Sequence, residues 1–195
     1  MQFRLIYQGK LPAAGKASSR NKEKHEIRKV LHKQLSELWK HQSILSRYLQ
    51  KEAQDKVSGV EKMAERYQLC GFKFLPLANE DFGSLACALD ILFLRRDQPG
   101  NLVTSGGDID NRIKVLFDAL RMPQNKQELE GQKPSEGENP FFCLLQDDKQ
   151  ITQVNITTDC LLTPQAADES ISDVYLIIHV KTLSLDGNTY TAFLT

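Results

Sequence analysis

Two short segments carry the side chains best suited to chemistry. Gly107-Asp108-Ile109-Asp110-Asn111-Arg112-Ile113-Lys114 and Leu145-Gln146-Asp147-Asp148-Lys149-Gln150 each bring two carboxylates to the boundary of a predicted element. Periodicity places a helix over Asp108 to Leu120, with Ile109, Ile113, Leu116 and Leu120 as its inner stripe. At its start, Asp108 and Asp110 lie near unsatisfied amide donors and the positive end of the macrodipole, which keeps them ionised. Ionised, clustered oxygens are what a hard divalent cation requires. Lys114 follows Asp110 by four residues and precedes Asp118 by four, so its ammonium is expected to reach the carboxylates on that helix side. Taken singly, Asp108 also reads as an ordinary N-cap, and Asp147-Asp148 as an ordinary turn. Four carboxylates, a helical lysine and a basic segment elsewhere together fit Mg²⁺-dependent phosphodiester hydrolysis, in which metal ions hold a water nucleophile and stabilise the leaving oxygen.

The surrounding elements must hold these segments. Phe3, Leu5 and Tyr7 alternate with Gln2, Arg4, Ile6 and Gln8, the period of a half-buried strand. Gly9 to Arg20 reads as a loop carrying Lys10, Lys16 and Arg20. Ile27, Val30, Leu31, Leu35, Leu38, Trp39 and Leu45 then predict one amphipathic helix from Asn21 to about Leu49, capped by Ser19 or Asn21. Its polar face is expected to carry Lys22, Lys24, Arg28, Lys29, Lys33 and Lys40, with His25, His32 and His41 in a spacing that does not suit a metal. A second, shorter helix around Val57 to Tyr67 extends the helical, basic segment over 21–69. Phe72 to Leu75 reads as a short strand ahead of Pro76. Ser84 to Arg95 is apolar on both faces, which predicts a central strand. Asp97 to Gly107 is a loop, and 123–140 is a polar, flexible surface loop. Strands follow at Ile151 to Leu162 and Val174 to Leu183, where His179 reads as a core or edge histidine. The expected architecture is α+β, a single domain over 1–195 with a mixed sheet packed against helices.

Composition narrows the function classes. With 195 residues, 41% hydrophobic and 26% charged, the chain has ordinary globular usage, which excludes collagen-like and low-complexity readings. The longest apolar run is about half the ~20 residues a membrane helix needs, and the amino terminus lacks a signal-peptide layout, so a cytoplasmic protein without a membrane partner is expected. Four cysteines without metal-ligand spacing are expected to be reduced thiols. The net charge of zero conceals a division: residues 1–56 hold 13 Lys+Arg against 5 Asp+Glu, and the remainder 12 against 20. A basic surface that can neutralise phosphates therefore stands apart from an acidic one.

The run DIDNRIKVLFDAL (Asp108 to Leu120) and the run LLQDDKQI (Leu144 to Ile151) resemble the hallmarks of the RusA-type Holliday junction resolvases, a D-x-D-N-x-x-K-x-x-x-D-A-L helix and a downstream D-D-x-Q. An amino-terminal strand, the Leu11-Pro12 loop and a helix also occur in family order. The resemblance covers about three quarters of the chain, and only the two central motifs are specific. It implies a RusA-like mixed α/β fold, a homodimer, and Mg²⁺-dependent nicking of branched DNA in recombination and repair, with Mn²⁺ as a substitute and no small-molecule cofactor. By matching position, the metal-binding acids fall on Asp108, Asp110 and Asp148, with Asp147 adjacent, and the essential lysine on Lys114. Asn111 and Asp118 match motif positions too. Where family members often carry arginines, this chain has Thr104-Ser105-Gly106-Gly107, so phosphate contacts are expected from Lys22, Arg28, Lys29 and Lys33, with Asn111 and Arg112 at the helix. A non-catalytic nucleic-acid-binding protein on the same fold, or a related metal nuclease acting on forks, flaps or RNA, stays open at the level of sequence.

Overall fold

A computed structural model describes residues 1–12, 20–51, 57–79, 85–96, 108–164 and 173–184, with Asp108 described as helix backbone only. The alternation from Gln2 gives β1 (Gln2–Lys10), with Leu5 and Tyr7 buried and Arg4, Ile6 and Gln8 exposed. The helical periodicity gives α1 (Asn21–His41), but the predicted single helix to Leu49 breaks at Gln42. There the chain turns extended, and the Gln42 side chain accepts from the Ile44 amide at 2.8 Å to cap a separate α2 (Ser43–Leu49). The residue before α1 is Arg20, which makes no side-chain cap. Asn21 is instead the first helical residue, buried, with its amide donating to the Gln127 carbonyl at 3.0 Å. Ser19, the other expected cap, lies outside the described residues, as do Lys16, the loop 97–107 and the segment 165–172.

The segment over 21–69 thus holds three helices where two were expected. It ends in a one-and-a-half-turn α3 (Gly59–Ala64), whose Ser58 and Glu61 form a reciprocal capping box, and in β2 (Gln68–Leu69). Cys70 and Gly71, both at positive φ (52° and 88°), close a two-residue hairpin onto β3 (Phe72–Ala78). β3 runs on through Pro76 because β2 flanks only its first residues; at Pro76 the strand has β5 (Phe141–Leu145) as its neighbour.

β4 (Leu85–Arg95), α4 (Asp108–Leu120), β6 (Ile151–Cys160) and β7 (Asp173–Ser184) complete the fold. One sheet has the order β1-β7-β4-β6, with β4 antiparallel to β7 and parallel to β6; the other has the order β2-β3-β5. Both contribute to a shared core around α1 and α4, so the α+β class with mixed sheets holds. β4 is central by its neighbours but not buried on both faces. Cys87, Leu89, Ile91 and Phe93 are buried, whereas Asp90 is exposed and Leu92 and Leu94 are half-buried on the opposite face.

The segment 123–140 is not a free loop. It forms a 3₁₀ turn at Lys126–Leu129 with Leu129 fully buried in an aromatic cluster with Phe72, Phe74 and Phe141. Asn139 fastens its far end, accepting from the Lys73 amide (2.9 Å) and donating to the Gly71 carbonyl (3.1 Å). Glycine and glutamate in this stretch signal mobility, but Leu129, Asn125, whose side chain caps the 3₁₀ turn by accepting from the Glu128 amide (3.2 Å), and the Asn139 bridge supply the anchors. All four cysteines are free, and burial pushes the Cys87 and Cys143 thiols up to about 12, which leaves them inert.

Candidate functional site

α4 presents its chemistry near its amino-terminal end. Ile113, Leu116 and Leu120 turn inward, which leaves Asp110 and Lys114 outward, and the Lys114 Nζ donates to Asp110 Oδ2 at 2.8 Å. Both side chains are about two-thirds exposed, at 64% and 65%. Asp118, one turn further, does not join them. It accepts from Lys24 and from Arg121, each at 2.7 Å. Burial pushes its carboxyl up, but the Lys24 hydrogen bond and the Arg121 charge outweigh this and hold it below the usual range.

Asp118 belongs to a buried ionic lock. Arg28 is 1% exposed; it donates to the backbone carbonyls of Arg121 (3.1 Å) and Asp118 (2.6 Å) and to Glu128 Oε2 (2.9 Å). Those carbonyls lie in the last turn of α4 and just past its end, where backbone acceptors lack helical partners, so the guanidinium caps the helix and ties it to α1. Burial lowers the Arg28 pKa and the Glu128 charge opposes that. The expectation that Arg28 contacts DNA is thus overturned: its charge is spent inside the protein. His25 and His32 are also buried, not on the polar face, and both stack on Phe141.

β5 delivers the second acidic segment. Asp147 caps the 3₁₀ turn Asp148–Gln150: its Oδ1 accepts from the Lys149 amide (3.0 Å), while Gln150 Oε1 accepts from the amides of Gln146 (2.9 Å) and Asp147 (3.2 Å). Gln124 donates to the Gln146 carbonyl (2.7 Å), which pins the turn from the 123–140 side. Asp147 is therefore occupied as a cap, and Asp148 is exposed, with its backbone carbonyl accepting from the Ile151 amide and its side chain taking no part in the cap. The turn packs against both α4 and β4.

The donor set is one of carboxylate oxygens, the chemistry of a hard divalent cation. Among the described residues, which do not include the Asp108 side chain, no three His, Cys, Asp or Glu side chains are gathered as a metal site. Of the expected phosphate contacts, Lys22 and Lys33 are exposed on α1, and Lys29 stands 3.5 Å from Glu26. Glu23, Glu26 and Glu37 share the exposed side of α1, so this surface is mixed in charge rather than uniformly basic. Asn111 is half-buried, and Arg112 is half-buried and donates to the Leu11 carbonyl, which fastens the end of β1 to α4.

Sequence reasoning missed Gln124, Arg121 and Glu128, and it had Gln150 only as a motif position, without its role in the turn. Gln150 had a signal, because D-x-x-Q is a capping-box spacing. Glu128 had none, since its partner Arg28 is a hundred residues away. No family model matches the chain, and no curated protein and no solved structure matches it.

Proposed function

We propose that the protein is a metal-dependent endonuclease of RusA-like type that nicks branched DNA such as Holliday junctions, acting in the cytoplasm in recombination and repair. The observation that supports this best is the exposed Asp110–Lys114 pair on α4 beside a turn that leaves Asp148 outward. Exposed ion pairs contribute little to stability, so the fold does not need this one. Its use is more readily chemical. Asp108, Asp110 and Asp148 are the residues to hold Mg²⁺, or Mn²⁺ in its place, with Asp147 adjacent. When bound, the ion supplies a water nucleophile at neutral pH and offsets charge on the leaving oxygen.

The chain's own groups divide the remaining work. Lys114 meets negative charge on the phosphate, and Gln150 with Asp147 keeps the turn that presents Asp148 rigid. Lys22, Lys29 and Lys33, with Asn111 and Arg112 at α4, supply contacts that position the DNA without reading its sequence. A homodimer suits a four-way junction because two symmetric nicks are made. The test is the purified full chain with Mg²⁺ on synthetic four-way junction, fork, linear duplex and single-stranded DNA of matched sequence. Paired nicks in the junction arms are expected, and equal cutting of all four substrates would favour a general nuclease.

A further inference from the structure

The turn that presents Asp148 is held by hydrogen bonds rather than by packing. None of Asp148, Lys149 and Gln150 is buried, so the turn has no side chain of its own anchored in the core. Its direction is set by the peptide unit that enters it, the carbonyl of Gln146 and the amide of Asp147. That unit is planar, so holding both of its ends fixes its rotation. The Asp147 amide donates to Gln150 Oε1 at 3.2 Å, and the Gln146 carbonyl accepts from Gln124 Nε2 at 2.7 Å. One residue earlier, the Gln146 amide donates to the Ala78 carbonyl at the end of β3 at 2.9 Å.

Gln124 comes from the long interval between the two acidic motifs, and that interval is braced. Its Nε2 also donates to the Met122 carbonyl at 3.3 Å, so one amide group spans from just past α4 to the turn. Glu128 sets where Gln124 stands. Its Oε1 accepts from the Gln124 backbone amide at 3.3 Å, while Arg28 of α1 and Arg121 hold the same carboxylate at 2.9 and 3.2 Å. Asn21 of α1 donates to the Gln127 carbonyl at 3.0 Å, and Leu129 is buried beside Phe141 of β5. Gln124 itself is exposed, and an exposed hydrogen bond contributes little to global stability. The fold does not need this bond, but the direction of the turn does.

We propose that Gln124 is a positioning residue: it acts through the Gln146 carbonyl to fix the turn that presents Asp148, and the stretch 123–129 is the strut that carries it. The inference rests on the preceding reading for the use of Asp148 as a metal ligand, and on these hydrogen bonds alone for the role of Gln124. Without the Gln124 donor, the Gln146–Asp147 peptide unit is held only through its amide and can rotate about its flanking bonds. The Asp148 carboxylate then takes up several directions. Oxygens that must first be gathered bind a cation more weakly, which is the effect of losing an outer-shell hydrogen bond at a metal centre.

The test compares Gln124→Met, which keeps the side-chain length and removes both donors, with Gln127→Met, an exposed glutamine of the same segment whose side chain makes no hydrogen bond among the described residues. Three quantities are measured on the full chain: melting temperature, the hydrogen-exchange rate of the Asp147 amide by NMR, and Mn²⁺ affinity by calorimetry with the metal alone and no DNA. Gln124→Met is expected to melt as the unaltered chain does, to exchange the Asp147 amide about tenfold faster, and to bind Mn²⁺ about tenfold more weakly. Gln127→Met should match the unaltered chain in all three. Unchanged Asp147 exchange in Gln124→Met, an equal loss of Mn²⁺ affinity in Gln127→Met, or a lowered melting temperature with unchanged Mn²⁺ affinity would each overturn the proposal. An unaltered chain that binds no Mn²⁺ would instead sink the metal reading, and the Asp147 exchange rate would still decide whether Gln124 fixes the turn.

Discussion

The Lys114 ammonium stands 2.8 Å from the Asp110 carboxylate one turn up α4, while Asp118, equally spaced on the other side of the lysine, is taken by Lys24 and Arg121. Lys114 is thus directed at the acidic site and not at the helix's own lock. Lys114→Ala is expected to lower the nicking rate by about 100-fold, the scale of losing one donor to developing charge. The Mg²⁺ concentration giving half-maximal rate should move little, and stability should stay within about 0.5 kcal/mol. Metal titrations with single-turnover rates measure both, and a loss confined to metal affinity would remove Lys114 from the chemistry.

A second prediction separates the buried arginine from the surface lysines. Arg28→Met strips one partner from a buried ionic cluster and leaves Glu128 without its closest cation from α1, so urea unfolding should show a loss of about 3–5 kcal/mol. Changing Lys22 and Lys33 together to glutamine should leave stability nearly unchanged. It should lower the slope of log affinity for DNA against log salt by about 1.8, from two phosphate contacts at about 0.9 each. An unchanged slope would show that α1 does not touch DNA.

Much of the fold was legible because it follows from period. Alternation at Phe3, Leu5 and Tyr7, the stripe Ile113-Leu116-Leu120 and the outward Asp110 and Lys114 are all where spacing puts them. The polar face of α1 was misread from residue type. Asn21, His25, Arg28, His32, Leu35 and Trp39 recur at alternating intervals of four and three, a buried ridge in which four members are polar. Their partners could not be read, since Glu128 for Arg28, the Phe142 amide for His32 and Phe141 for both rings arrive from distant segments. β4 was read correctly as a central strand, and the half-buried Leu92 and Leu94 show that apolar residues on both faces do not by themselves mean burial on both.

The histidines give the third prediction. Burial lowers the His25 pKa to about 4, helped by the Arg28 and Lys29 charges, and burial also lowers that of His32. Each is held neutral in the folded protein, whereas the unfolded chain takes up its proton near pH 6.5. Unfolding therefore binds protons between about pH 6.5 and 4, and stability should fall as pH drops through that window, by up to about 3 kcal/mol for His25. Neither His25 ring nitrogen has a hydrogen-bond partner among the described residues, and the ring packs on Phe72 and Phe141. His25→Phe should accordingly raise the melting temperature and flatten the acid side of the profile. A steeper profile in that variant would place the proton-linked group elsewhere.

The two adjacent acids of the turn should behave differently. Asp147→Ala removes a cap and is expected to cost about 1 kcal/mol in thermal unfolding, with a partial loss of activity as the turn loosens. Gln150→Ala should act in the same direction, since it frees the amides of Gln146 and Asp147. Equal stability of both variants with the unaltered chain would show that the turn is held by other contacts.

The most direct measurement is single-turnover nicking of a synthetic four-way junction in Mg²⁺ by the unaltered protein and by Asp148→Asn, with junction binding and melting temperature recorded alongside. The unaltered chain should introduce paired nicks in the junction faster than in a linear duplex of the same sequence. The variant should bind and melt as before, yet lose more rate than the roughly 10–100-fold that removal of an outer-shell partner costs a metal centre. Near-normal nicking by Asp148→Asn, or no metal-dependent cleavage of any branched substrate by the unaltered protein, would contradict the assignment.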